Sequence, residues 1–141
     1  MKGSKVRFYV GFDVPSVAEA WRTRLLRFCE ELPREVQLAF DAIPSDQELS
    51  SKYRQAFLWE EGYRFDDEEI HTVFGHTERA SITAKDFHSQ MELDSVAVWS
   101  AGTDNEQGVF DFTIGRELND QWMTVFMNLD SKAIIGTSWE N

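Results

Sequence analysis

From Asp94 onward the apolar residues of this chain recur at every second position, in four successive runs. Val96 and Val98, then Phe110, Phe112 and Ile114, then Met123, Val125, Met127 and Leu129, then Ala133 and Ile135 each mark one face of an extended segment. The intervals Gly102–Gly108, Glu117–Asp120 and Asp130–Ser131 carry turn-forming residues. Four strands joined this closely predict an antiparallel meander. Any fold for the chain must cover the apolar face of that sheet.

The first half supplies the cover. Residues 5–13 alternate and predict an N-terminal strand with Val6, Phe8, Val10 and Phe12 on one face, broken at Pro15. Its place in the sheet, edge or centre, is left open. Ser16-x-x-Glu19 is a capping box, in which each side chain satisfies the other's free backbone N–H. Ala18, Trp21, Leu25, Phe28, Cys29 and Leu32 then form a helical stripe that Pro33 ends or turns. For 34–43, Val36, Leu38 and Phe40 alternate as in a strand, although Ala39 and Ile43 also suit a helix; strand is favoured. Ser45-x-x-Glu48 predicts a second main helix bearing Leu49, Tyr53, Ala56 and Phe57, stopped near Gly62. Asp66 could cap a short helix with an acidic first turn, or the segment could be an irregular strand. Thr83 predicts a short helix with Phe87, Met91 and Leu93 inward. The fold expected is a single α+β domain spanning 1–141: an N-terminal strand, and two main helices plus short ones packed on a mainly antiparallel C-terminal sheet.

Charge narrows the partners. The chain has 25 Asp and Glu against 14 Lys and Arg, a net of −11. Residues 1–40 hold seven basic and five acidic groups, whereas 41–141 hold seven and twenty. Nucleic acid and anionic membranes need cationic surfaces and are excluded as direct partners. A basic protein is favoured, because a one-sided acidic field raises its on-rate. The single Cys29 permits no intrachain disulfide and reads as a buried, inert thiol. With no apolar run long enough for a membrane span or a leader, the cytoplasm is the expected compartment.

Catalytic signatures are missing. There is no phosphate loop, nucleophile elbow, H-E-x-x-H or C-x-x-C, so neither cofactor nor metal is expected and the chain reads as non-catalytic. His71 and His76 lie five apart, out of helical phase. With Glu68, Glu69 and Glu78 they make a local imidazole–carboxylate cluster that reads as a solvated segment. The candidate interaction residues are Glu60, Glu61, Asp66, Asp67, Glu68, Glu69, Asp104 and Glu106, with Trp59 as an aromatic anchor. Trp59, Trp99 and Trp122 stand out of phase with the apolar faces beside them, and Trp139 carries the Ala133/Ile135 face into a polar C-terminus.

The stretches Gly108–Ile114 and Trp122–Asp130 resemble the closing hairpins of small bacterial α+β proteins, and the acidic style is similar to immunity proteins of bacterial toxin systems. The resemblance implies a binding protein that neutralises a basic toxin or enzyme, and it carries no individual residue role. Two alternatives stand beside it. One is a small-ligand-binding or enzymatic α+β domain with an aromatic-lined pocket and His71, His76 or His88 at its mouth. The other is a structural or regulatory domain.

Overall fold

The computed structural model describes residues 5–12, 19–100 and 106–141. The predicted Ser16 cap, the Pro15 break, Asp104 and most of the Gly102–Gly108 turn lie outside them. Strand β1 (Arg7–Phe12) is followed by helices α1 (Glu19–Glu30), α2 (Leu32–Ala42), α3 (Gln47–Trp59), α4 (Asp67–Phe74) and α5 (Ala84–Ser89). Strands β2 (Met91–Ser100), β3 (Gln107–Ile114), β4 (Trp122–Asn128) and β5 (Ile134–Glu140) complete the chain. The sheet order is β1-β2-β3-β4-β5, with β2 to β5 an antiparallel meander. This is the expected α+β fold. β1 sits at an edge and pairs parallel to β2, with all five helices in the crossover between them.

The inward face follows the period-two pattern. Val96, Val98, Phe110, Phe112, Ile114, Met123, Val125 and Met127 are all buried. The helices cover them with Trp21, Phe28, Ala39, Ile43, Tyr53, Phe57, Ile70 and Phe87. At β1 the cover ends: Phe8 and Val10 share the inward face with Val96 and Val98, yet Phe8 remains 42% exposed.

Several expectations change. Residues 34–42 are helical, as part of α2, and Ile43 opens a 3-10 turn; Pro33 stands in the first turn of α2, where a missing N–H costs nothing. The deciding pattern is Leu32, Val36, Ala39 and Ile43 at helical spacing against the core; Leu38, which made the segment look extended, is exposed. There are therefore three long helices. Helix α3 is capped by Asp46 rather than Ser45, its carboxylate accepting from Leu49 N at 3.0 Å and from the Thr137 hydroxyl at 2.9 Å. Met91 and Leu93 open β2 rather than closing α5. Cys29 is exposed, because the buried stripe of α1 runs through Trp21, Leu25 and Phe28 and leaves its neighbour outside. Ile135 is 55% exposed: β5 pairs Gly136 with Phe126 but Ile134 with Met127, so Ile135 is the extra residue of a bulge. Trp139, beyond the bulge, still packs on the core, 5.4 Å from the Tyr53 ring.

The opposite face of the sheet carries a second order. Arg7, Ser95, Asp111, Thr124 and Ser138 stand in one row across five strands. Within it Ser95 and Thr124 donate to the two oxygens of Asp111 at 2.6 and 2.7 Å. A further row holds Gly11 beside Trp99, whose ring lies so close that a Cβ on Gly11 would stand 2.1 Å from it. Only glycine allows that approach.

Candidate functional site

The acidic corner is built by the end of α3 and the start of α4. After Trp59 the chain turns through Glu60, Glu61 and Gly62, which takes φ +95°. Backbone bonds from Tyr63 N and Arg64 N to Glu60 O close the turn at 3.1 and 2.8 Å. Phe65 then drops into the core, its N–H bonded to Phe57 O at 2.9 Å and its ring 4.9 Å from the Phe57 ring. That anchor brings Asp66 and Asp67 back beside Trp59 and Leu58, with Arg64 and Arg79, around a shallow hollow of about 390 Å³. Trp59 is 46% exposed.

The acidic residues here have different roles. Asp66 and Glu69 form a reciprocal capping box on α4, at 2.9 and 2.8 Å. Asp67 pairs with Arg79 at 2.9 Å, while Arg79 also donates to Leu58 O. These three carboxylates have a local structural use. Glu60, Glu61 and Glu68 are exposed, with no ion pair among the described residues. Asp66→Ala should therefore lower stability by about 1 kcal/mol, the usual loss for a helix cap. Glu60→Gln and Glu61→Gln should stay within about 0.5 kcal/mol of the parent in urea denaturation.

Glu106 does not join this corner. It is buried and bonds Arg24 of α1 at 2.6 Å, so its charge is compensated inside the fold. Asp104 lies outside the described residues. Trp99 is exposed on the far sheet face, and Trp122 donates through Nε1 to Asp94 at 3.0 Å.

The histidines separate as well. His71 and His76 are exposed, and His76 Nδ1 accepts from Glu78 N at 3.2 Å. No three His, Cys, Asp or Glu side chains converge as metal ligands among the described residues. His88 is half-buried, stacked on Phe40 with centroids 4.0 Å apart and with Nε2 2.9 Å from Phe40 O.

His88 borders a cavity of about 580 Å³ between α3, α5 and the start of β2. Its wall includes Ile43, Tyr53, Phe87, Met91 and Met123, and its rim includes Arg54 and Lys85. Burial pushes the Tyr53 phenol pKa up, and its hydroxyl donates to Gln121 O at 3.1 Å, so it lines the cavity as a neutral group. The sequence gives no local sign of this cavity, since its residues come from positions 43 to 123 and meet only through packing. Arg64 and Arg79 likewise entered the corner without a sequence signal.

No protein-family model, curated protein or solved structure matches the chain. No helix among the described residues is long and apolar enough to cross a membrane.

Proposed function

We propose that this chain is a non-catalytic binding protein that holds a basic protein partner, such as a toxin domain or an enzyme, at the corner formed by Trp59, Glu60, Glu61 and Glu68. The reading rests on one observation: the half-exposed Trp59 is followed directly in the chain by the exposed Glu60 and Glu61, which form no ion pair among the described residues. Tryptophan is enriched among residues that dominate binding energy, and unpaired charge around it steers an oppositely charged surface. The net charge of −11 extends that field beyond the corner. Such a partner would be met in the cytoplasm.

The test starts with affinity capture from the native host, followed by titration of the purified partner at rising ionic strength. Affinity should fall with salt, and Glu60→Lys/Glu61→Lys/Glu68→Lys should weaken it by at least about tenfold through charge repulsion. Trp59→Ala should remove about 2 kcal/mol of binding. A partner that ignores both salt and the triple substitution would defeat the proposal.

A further inference from the structure

We propose that the cavity between α3, α5 and β2 binds a small amphipathic carboxylate, with an apolar body inside and the carboxylate at the rim. This site is separate from the acidic corner and does not depend on it. Its volume of about 580 Å³ falls within the range of roughly 300–1,000 Å³ typical of small-molecule sites. Ile43, Phe87, Met91 and Met123 give it an apolar wall. Methionine adapts to varied ligand shapes, because its unbranched side chain repacks at little cost.

The rim decides the ligand's charge. None of the thirteen described residues around the cavity is acidic, in a chain with 25 acidic groups against 14 Lys and Arg. The ionisable groups facing it, apart from the neutral Tyr53, are Arg54, Lys85 and His88. Arg54 donates Nε (3.0 Å) and Nη2 to the single carbonyl of Ile82 and forms no ion pair among the described residues. Lys85 forms no ion pair among the described residues. Of the carboxylates next to this wall in sequence, Asp86 keeps its charge within the field of Lys85, whereas Glu48 and Asp46 are engaged elsewhere. Asp86 accepts from Thr83 N at 2.9 Å and from the Thr83 hydroxyl at 2.8 Å. Glu48 pairs with Lys52 at 2.7 Å, and Asp46 is held by Leu49 and Thr137.

His88 adds no donor for an anion. Its Nε2 faces a carbonyl, which can only accept, so Nε2 carries the proton. The other ring nitrogen, Nδ1, is then an acceptor, so it does not bond a carboxylate, and the anion's partners at the rim are Arg54 and Lys85. A neutral hydrocarbon would leave the partly buried Arg54 facing an apolar body with no counter-charge, and an organic cation would be repelled. A monoanion with an apolar body satisfies both parts of the cavity.

Methionine methyl NMR supplies the test, because the chain has only four methionines: Met1, Met91, Met123 and Met127. Met91 and Met123 line the cavity, while Met127 is buried in the sheet core away from it. Decanoate titrated into the intact protein should shift Met91 and Met123 saturably, at one equivalent, and leave Met127 in place. It should bind about tenfold more tightly than 1-decanol, and decylammonium should bind more weakly than either. Lys85→Glu, at an exposed position, should weaken decanoate by about fivefold or more and leave 1-decanol unchanged. The proposal is overturned if decanoate leaves Met91 and Met123 unmoved, if it shifts all methionines alike, or if 1-decanol and Lys85→Glu reveal no preference for the anion.

Discussion

Lys132→Met should destabilise the protein by about 3–5 kcal/mol at pH 8, the range for a buried carboxylate that loses its counter-ion. The carboxylate is Glu35, which α2 carries into the core, where it is 1% exposed. Lys132 reaches it from the turn between β4 and β5 and bonds its Oε1, with Glu31 3.7 Å from the ammonium and the Phe28 ring centroid at 5.4 Å. The turn is preset for this reach. Asn128 accepts from Asp130 N and Ser131 N, both at 2.9 Å, and Lys132 N returns to Asn128 O at 3.0 Å with φ +59°. Methionine keeps an unbranched apolar stem, and removes the ammonium together with its hydrogen bond to Glu35.

The same site predicts a pH dependence. Burial raises the Glu35 pKa above its ordinary 4.5, and the bond and charge of Lys132 partly oppose the rise. A carboxylate with a raised folded pKa binds its proton more tightly in the native state. Its ionisation therefore costs stability as pH rises through the window from the ordinary value to the raised one. Without Lys132 the opposing influence disappears, the window widens upward and the loss grows with pH. Guanidinium unfolding at pH 5 and pH 8 should show a smaller deficit at pH 5. Glu35→Gln/Lys132→Met should recover much of the pH 8 loss, since no charge is then stranded. An equal deficit at both pH values, or a double variant as unstable as Lys132→Met alone, would show that the pair is not the source.

What could be read from the sequence tracks how local each determinant is. Strands β2, β3 and β4 were legible because each buries alternate residues on one continuous face. Asp66 and Thr83 are legible as caps because each stands just before its helix, but their box partners Glu69 and Asp86 emerge only in the structure, and at α3 the cap falls on Asp46 rather than on the Ser45 that fits the box spacing. Helix α2 resembles a strand in sequence because Val36, Leu38 and Phe40 fit period two, and only the neighbouring core reveals that Leu38 faces solvent. Ile135 was misplaced because a bulge changes parity without leaving a signature. The candidate site divides in the same way. Trp59 and its neighbouring glutamates are exposed, as residues off an apolar stripe should be. The burial of Glu106 depends on Arg24, 82 positions away, and the cavity rim joins α3 to α5; neither pairing has a local pattern.

Asp94→Ala is the second substitution expected to cost about 3–5 kcal/mol, and its damage should concentrate at β1. Asp94 is the bulged residue of β2: Leu93 pairs with Phe112 and Ser95 with Asp111, which leaves Asp94 as the extra residue between them. Its buried carboxylate accepts from Arg7 of β1 and from Nε1 of Trp122 at 3.0 Å, and it lies 3.1 Å from Arg116 Nε in an ion pair that is not a hydrogen bond. Arg116 also donates to Lys5 O at 3.0 Å and to Leu93 O. Two cations thus bind the first strand to the second through one carboxylate. Apolar burial holds β1 weakly by comparison, since Val6, Phe8, Tyr9 and Val10 all remain exposed. Removing Asp94 strands the largely buried Arg116 and frees Arg7, so hydrogen exchange should accelerate in 7–12 well before it changes in β4. Asp94→Asn should cost less than Asp94→Ala, because an amide oxygen still accepts from Trp122. If Asp94→Ala stays within about 1 kcal/mol of the parent, or if protection falls evenly across the sheet, β1 is held by its backbone ladder alone.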